Sequence, residues 1–199
     1  MGDHAAVETV AARVIERHPA IGLLVNNAGI PGRRGFLEIE PERMEEMLRT
    51  NFLGGLWCLQ AFLPALEAAR PAHLVNIVSV AGTVAFPPSG PYSASKHAQL
   101  AFSRAMAAEL PKRGITVHTV NPGFVETEGF PQRNLRASPL LRRLVVGPEV
   151  VAERVLQVIE RGRRETFVPS WYRLPALLQA LAPSVLSRLL ERRSRRGRH

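Results

Sequence analysis

The sequence predicts an α/β chain, with a parallel sheet covered by helices on both faces. Two observations support this. Short apolar runs that read as strands alternate with periodic segments of ten or more residues that read as helices, an order that calls for βαβ crossovers. Three of the runs also end in polar or turn-forming residues: Asn26-Asn27-Ala28-Gly29, Ser79 and Asn121-Pro122-Gly123. Parallel sheets bind ligands beyond the carboxyl ends of their strands, so these three ends carry most weight for function.

Residues 4–18 read as a helix, with Val7, Val10, Ala11, Val14 and Ile15 on one stripe. Ile21–Val25 is a short apolar strand that runs into the Asn26–Gly29 turn. Pro41 opens a long helix to about Ala69, with Glu42, Glu45 and Glu46 in its first turns, where the helix dipole favours them. His73–Val78 is a second strand, and a helix follows from about Tyr92 to Leu110. Ile115–Val120 is the next strand, and a loop leads from Asn121-Pro122-Gly123 to Pro148. A helix over 149–161 and a strand over Glu165–Val168 follow, and 172–194 is helical with a break at Pro183. Gly29, Gly32 and Gly35 recur without the spacing of a dinucleotide turn and read as a flexible loop.

At 199 residues the chain is one domain, residues 1–170, with an appendage over 171–199. Its single cysteine, Cys58, cannot close an internal disulfide; flanked by Trp57 and Leu59, it reads as a small buried hydrophobe in a reducing compartment. No secretory signal opens the sequence, and the longest apolar stretch, Phe52 to Leu66, is interrupted by Gln60 and Pro64. The expected location is the cytoplasm, with peripheral contact at a membrane left open. Aspartate occurs once, at Asp3, which excludes chemistry built on paired aspartates, and the six histidines show no metal-ligand spacing. No metal is expected.

The chemistry centres on Tyr92 and Lys96, four apart on one helix and so on one face. A phenol titrates near 10, and an ammonium one turn away is expected to lower that value, giving an acid/base able to exchange a proton with an alcohol or ketone. Ser79, at the end of a strand, is placed to donate a hydrogen bond to the substrate oxygen.

Asn26-Asn27-Ala28-Gly29, Asn51 in its helix, Asn76-Ile77-Val78-Ser79, Tyr92-Ser93-Ala94-Ser95-Lys96 and Asn121-Pro122-Gly123-Phe124-Val125-Glu126-Thr127, in this order and spacing, resemble the motifs of the short-chain dehydrogenases/reductases over about residues 3–170. The resemblance implies a Rossmann-like, doubly wound sheet, NAD or NADP as cofactor and a small-molecule alcohol or carbonyl substrate. It implies a catalytic set of Tyr92, Lys96, Ser79 and Asn51. Tyr92 would be the acid/base, and Lys96 would lower its pKa and bond the nicotinamide ribose. Ser79 would position the substrate. Asn51 would kink its helix and hold a relay water. Asn26, Asn27, Ala28 and Gly29 would lie beside the adenosine half of the cofactor and brace the sheet, while Pro122, Gly123, Val125 and Thr127 would contact its nicotinamide end.

The sequence departs from the family in two places. The family's glycine-rich phosphate turn, Thr-Gly-x-x-x-Gly-x-Gly, has no counterpart, and Met1-Gly2-Asp3 resembles the end of the family's third strand. The expectation is an N-terminally truncated sheet with the Ile21–Val25 edge exposed, weak NAD(P) binding, and a tendency to form homo-oligomers.

The second departure is the carboxyl-terminal helical extension. Leu174, Leu177, Leu178, Leu181, Val185, Leu186, Leu189 and Leu190 make an apolar stripe, followed by Arg192, Arg193, Arg195, Arg196 and Arg198. Residues 1–130 carry 11 basic and 12 acidic side chains, residues 131–199 carry 15 and 5. The extension reads as a helix over the substrate cleft or at a subunit interface, with an interfacial helix on anionic lipid as the alternative. Nucleic acid is not an expected partner, because the tail has no aromatic stacking residues. Phe124, Phe130, Leu135, Leu140, Leu141 and Leu144 would roof the cleft and favour a lipophilic substrate. The rival function is a catalytically silent interaction or membrane-surface module.

Overall fold

The computed structural model describes residues 1–32, 34–127 and 144–196. Its main sheet has four parallel strands in the order β1-β2-β3-β6, made of Leu23–Asn26, Ala72–Ile77, Ile115–Pro122 and Glu165–Val168. Val25 lies opposite Val75, Val75 opposite His118, and Val120 opposite Thr166. Two short strands, β4 (Phe124–Val125) and β5 (Val145–Val146), pair separately.

The helices sort to the two faces by the alternation of strand side chains. Leu74, Ile115 and Val117 point to one face and meet Leu59 and Leu66 of α3 (Gly54–Ala68), with α4 (Gly90–Glu109) alongside. Val75, Val120 and Val168 point to the other face and meet Val158 of α5 (Pro148–Glu160). α1 (His4–Arg17) packs along α3, and Asp3 caps it by accepting from the Ala6 amide. Leu66, Leu74 and Ile115 are fully buried, each worth about 1.5–3 kcal/mol. Cys58 is buried as expected, and burial raises its thiol pKa.

Three expectations are corrected in detail. The long helix is not continuous. α2 (Pro41–Leu48) gives way to a π turn at Arg49–Leu53 before α3 begins. Such an insertion re-aims one side chain, here Asn51.

The strand expected to stop at Val120 runs on to Pro122, because Asn121 and Pro122 pair with Phe167 and Val168.

The C-terminal stripe is not one face. α6 (Arg173–Leu181) and α7 (Pro183–Arg196) meet at Ala182, which is extended away from helical geometry as the residue before a proline tends to be. Leu186 turns inward and is buried, whereas Leu174, Leu177, Leu181, Val185 and Leu189 remain at least 48% exposed.

β1 has no strand on its outer side among the described residues, and Leu23 and Val25 are 43% and 41% exposed. No helix among the described residues is long and apolar enough to cross a membrane.

Candidate active site

The inner stripe of α4 is polar where a core helix is usually apolar. Tyr92, Lys96, Gln99 and Ser103 follow one another at steps of four, three and four, and the last three are at most 4% exposed. Buried polar groups are costly unless bonded, and these are bonded in series. Asn26 Nδ2 donates to the Gly55 carbonyl at 3.1 Å and to Asn76 Oδ1 at 2.9 Å. Asn76 Nδ2 donates to Ser103 Oγ at 2.9 Å, and Ser103 meets the Thr119 hydroxyl at 2.7 Å. One chain of hydrogen bonds thus ties β1, β2, α4 and β3 together below the strand ends.

Ser79 leaves β2 and caps the short 3-10 turn Val80–Gly82, where its Oγ accepts from the Ala81 amide at 3.1 Å. The same hydroxyl reaches the Pro122 carbonyl at 3.4 Å and shares a hydrogen bond with the Tyr92 side chain. Tyr92, Ser79 and Pro122 therefore converge at the carboxyl ends of β2 and β3.

Burial pushes the Tyr92 phenol up to about 12, with the Ser79 bond acting in the other direction. This corrects the expected lowering by Lys96. The Lys96 ammonium lies 5.9 Å from the centre of the Tyr92 ring, but its own burial pushes it down to about 7, and it donates to the Ile77 carbonyl at 3.2 Å and Gln99 Oε1 at 2.8 Å. A lysine whose burial disfavours its charge, and which is bonded elsewhere, does little to stabilise a phenolate.

Asn51 is buried in the π turn and clamps two neighbours. Its Oδ1 accepts from the Ile30 amide at 2.7 Å, and its Nδ2 donates to the Ile30 carbonyl at 3.1 Å and to Ser95 Oγ at 3.0 Å. The turn after β1 is thereby pinned against α4. Asn27, Ala28 and Gly29 are exposed on that turn, and Asn26 is buried beneath it. A Cβ at Gly29 would lie 3.3 Å from Asn51 Oδ1 and 3.6 Å from Lys96 Nζ, so Gly29, Asn51 and Lys96 form one floor.

Pro122 ends β3 beside Ser79. Gly123 donates to the Val168 carbonyl at 2.9 Å, and a Cβ there would fall 2.0 Å from Tyr172 Cε2. Only glycine admits this approach. Tyr172 is buried, stacks on Trp171 with ring centres 3.9 Å apart and meets Phe124 edge-on at 6.3 Å. Val125 and Thr127 stand beyond Gly123, the first on the small β4–β5 sheet and the second exposed after it. Of the expected roof, Phe130, Leu135, Leu140 and Leu141 lie outside the described residues. A separate groove of about 600 Å³ runs between α4, β6 and α6, lined by Leu100, Phe167, Leu177, Arg104 and Glu165; neither Tyr92 nor Lys96 lines it.

Sequence reasoning missed Gln99, although its spacing of three from Lys96 on a helix was a usable signal. It also missed the Asn76–Ser103–Thr119 bonds and the close approach of Tyr172 to Gly123. No local pattern announces these, because the partners are 16 to 49 positions apart.

A family model described as short chain dehydrogenase matches residues 1–137. Dehydrogenase/reductase SDR family member 7B of Bos taurus is 28% identical over 211 aligned residues, covering 100% of this chain and 63% of that protein. Epidermal retinol dehydrogenase 2 of Mus musculus is 32% identical over 180 residues, covering 89% of this chain and 58% of that protein. The chain spans less than two thirds of the length of these curated relatives. Among solved structures, a short chain dehydrogenase from Burkholderia cenocepacia in complex with NADP is similar, with a TM-score of 0.80 and 28% identity over 95% of this chain and 75% of that one.

Proposed function

The chain belongs to the short-chain dehydrogenase family, and on that premise we propose that it takes part in NAD(P)-dependent interconversion of an alcohol and a ketone or aldehyde. The observation that supports this most is the Ser79–Tyr92 hydrogen bond with Lys96 one turn further along α4. The nicotinamide cofactor, NAD or NADP, supplies the hydride chemistry when bound.

The residues present fit such a group. The exposed Asn27–Gly29 turn lies over Lys96, and the floor there is closed enough that a Cβ at Gly29 would press on Asn51. In this reading Lys96 holds the nicotinamide ribose, the turn of Asn27, Ala28 and Gly29 lies beside the adenosine half with Asn26 bracing the sheet beneath it, and Pro122, Gly123, Val125 and Thr127 hold the nicotinamide side.

Tyr92, with its phenol raised to about 12, stays protonated at neutral pH. It is thereby set to give its hydroxyl proton to a carbonyl oxygen in the reducing direction. Ser79 directs that oxygen by donating a second hydrogen bond, after releasing the Pro122 carbonyl. Asn51 keeps the turn in register with α4. The substrate class we favour is lipophilic, because Phe124, Trp171 and Tyr172 form an aromatic wall beyond Gly123; the relative named as a retinol dehydrogenase points the same way. The test is turnover of a panel of alcohols and carbonyls with each cofactor, in the chain and in Tyr92→Phe. A signal that Tyr92→Phe leaves within a few-fold of the parent would refute the assignment.

A second reading concerns residues 171–199. Leu174, Leu177, Leu181, Val185 and Leu189 are exposed along α6 and α7, and Arg188 is exposed among them. Exposed apolar side chains on an arginine-rich segment match an anionic lipid surface, giving peripheral membrane contact. The protein should co-sediment with anionic vesicles and be released as salt rises. Failure to bind at any salt leaves packing within an assembly as the explanation. A homo-oligomer is the other partner proposed, with the exposed Leu23 and Val25 of β1 as the surface that favours it; light scattering of the purified chain measures it.

A further inference from the structure

Gln99 has no part in the proton transfer above, yet it is 2% exposed on the inner face of α4. A buried glutamine loses its hydration unless a partner replaces it. Its partner is Lys96, whose Nζ donates to Gln99 Oε1 at 2.8 Å and to the Ile77 carbonyl at 3.2 Å. The two acceptors come from different elements, one from the helix and one from β2. Together they fix the direction of the ammonium and leave one N–H for a further acceptor.

We propose that Gln99 is a positioning residue for Lys96, its carboxamide oxygen holding Nζ against β2 without adding a charge to the site. The proposal rests on the reading of Lys96 as a working residue of the reaction.

The choice of amide matters. A carboxylate at position 99 would form an ion pair and hold the ammonium charged over the whole working range of pH. An apolar residue would leave Nζ with the Ile77 carbonyl and without its second anchor, and the long side chain would regain rotamer freedom. The amide orients while leaving the lysine's proton affinity to burial, which lowers it. The groups facing Nζ agree with this. From α4 they are Tyr92 and Gln99, from β2 the Ile77 carbonyl, and from the floor Gly29 and the uncharged Asn51. No carboxylate forms an ion pair with Lys96 among the described residues.

The chain has two lysines, Lys96 and the exposed Lys112, so lysine labelled at Cε gives two NMR signals, one serving as internal reference. In the full chain Lys96 should titrate well below the ordinary lysine range. Gln99→Glu should raise the Lys96 midpoint by more than about one pH unit. Gln99→Met, similar in length and uncharged, should shift the Lys96 Cε resonance and weaken cofactor binding while the Lys112 signal stays in place. An unchanged Lys96 midpoint in Gln99→Glu, or an unchanged resonance in Gln99→Met, overturns the proposal whatever the activity. If the NMR changes occur but Lys96→Met alters neither turnover nor cofactor affinity, the coupling stands and the role of Lys96 in the reaction is what fails. With both in place, the pH–rate profile of Gln99→Glu should move with the NMR midpoint.

Discussion

His73 Nδ1 lies 3.0 Å from His118 Nε2, on the face of the sheet that α5 covers. His118 Nδ1 lies 2.7 Å from the Arg163 carbonyl. A carbonyl only accepts, so Nδ1 of His118 carries the hydrogen and its Nε2 accepts from His73. Protonating His118 would turn its Nε2 into a donor and oblige His73 to change tautomer and present Nδ1 as the acceptor. Burial lowers the His118 pKa, the Arg163 bond opposes this, and the charge of His73 adds to the lowering.

The stability consequence has a definite sign. The unfolded chain binds a proton at position 118 more readily than the folded one. This contribution is therefore present in full above the ordinary histidine value near 6.5 and is lost as pH falls below it. Chemical unfolding from about pH 7.5 down to about pH 5 should show stability falling, with a shallower slope in His118→Asn. Equal slopes in the two proteins would remove His118 as the cause.

Lys96 gives the opposite end of the same curve. Its pKa falls from 10.5 unfolded to about 7 folded. The unfolded state holds more protons across that window, so stability should rise with pH between about 7 and about 10. Lys96→Met should flatten the rise. A slope that survives the substitution would place its origin elsewhere.

Tyr92→Phe keeps the ring and removes the proton. The proposed role makes kcat fall by about 10²–10⁴ with the melting temperature nearly unchanged. Ser79→Ala should lower kcat while the cofactor dissociation constant stays close to the parent value, since Ser79 is assigned to the substrate oxygen.

Asn26→Leu removes the donor that satisfies Asn76 Oδ1 and the Gly55 carbonyl, both inside the protein. Stranding buried acceptors costs about 1–3 kcal/mol. Denaturant unfolding should show a loss of that order, and Asn26→Leu combined with Asn76→Leu should cost less than the sum of the two singles.

Gly123→Ala brings a methyl group into the ring of Tyr172. The expected loss is about 1–3 kcal/mol or more. Tyr172→Ala should absorb most of it in the double variant, and a strictly additive double variant would show that the contact is not what makes glycine necessary.

Much of this protein is legible along the chain because its signals are local. Strand Glu165–Val168 agrees with the expectation residue for residue, and the Tyr92–Lys96 pair needs only the helical repeat to share a face. The break at Pro183 follows from the geometry a proline imposes on its neighbour. Other features needed the assembled fold. The π turn at Asn51 exists because its carboxamide finds Ile30 and Ser95, which lie 21 and 44 positions away. The division of the C-terminal leucines into a buried Leu186 and an exposed row depends on where α7 lands, not on their spacing. The direction of the Tyr92 pKa reversed for the same reason. Spacing put a cation one turn away, but burial of both groups decided which form each prefers. Periodicity and backbone restriction act within a few residues and so can be read in order. Desolvation and hydrogen-bond partnership depend on what the fold brings near, and only the tertiary structure determines them.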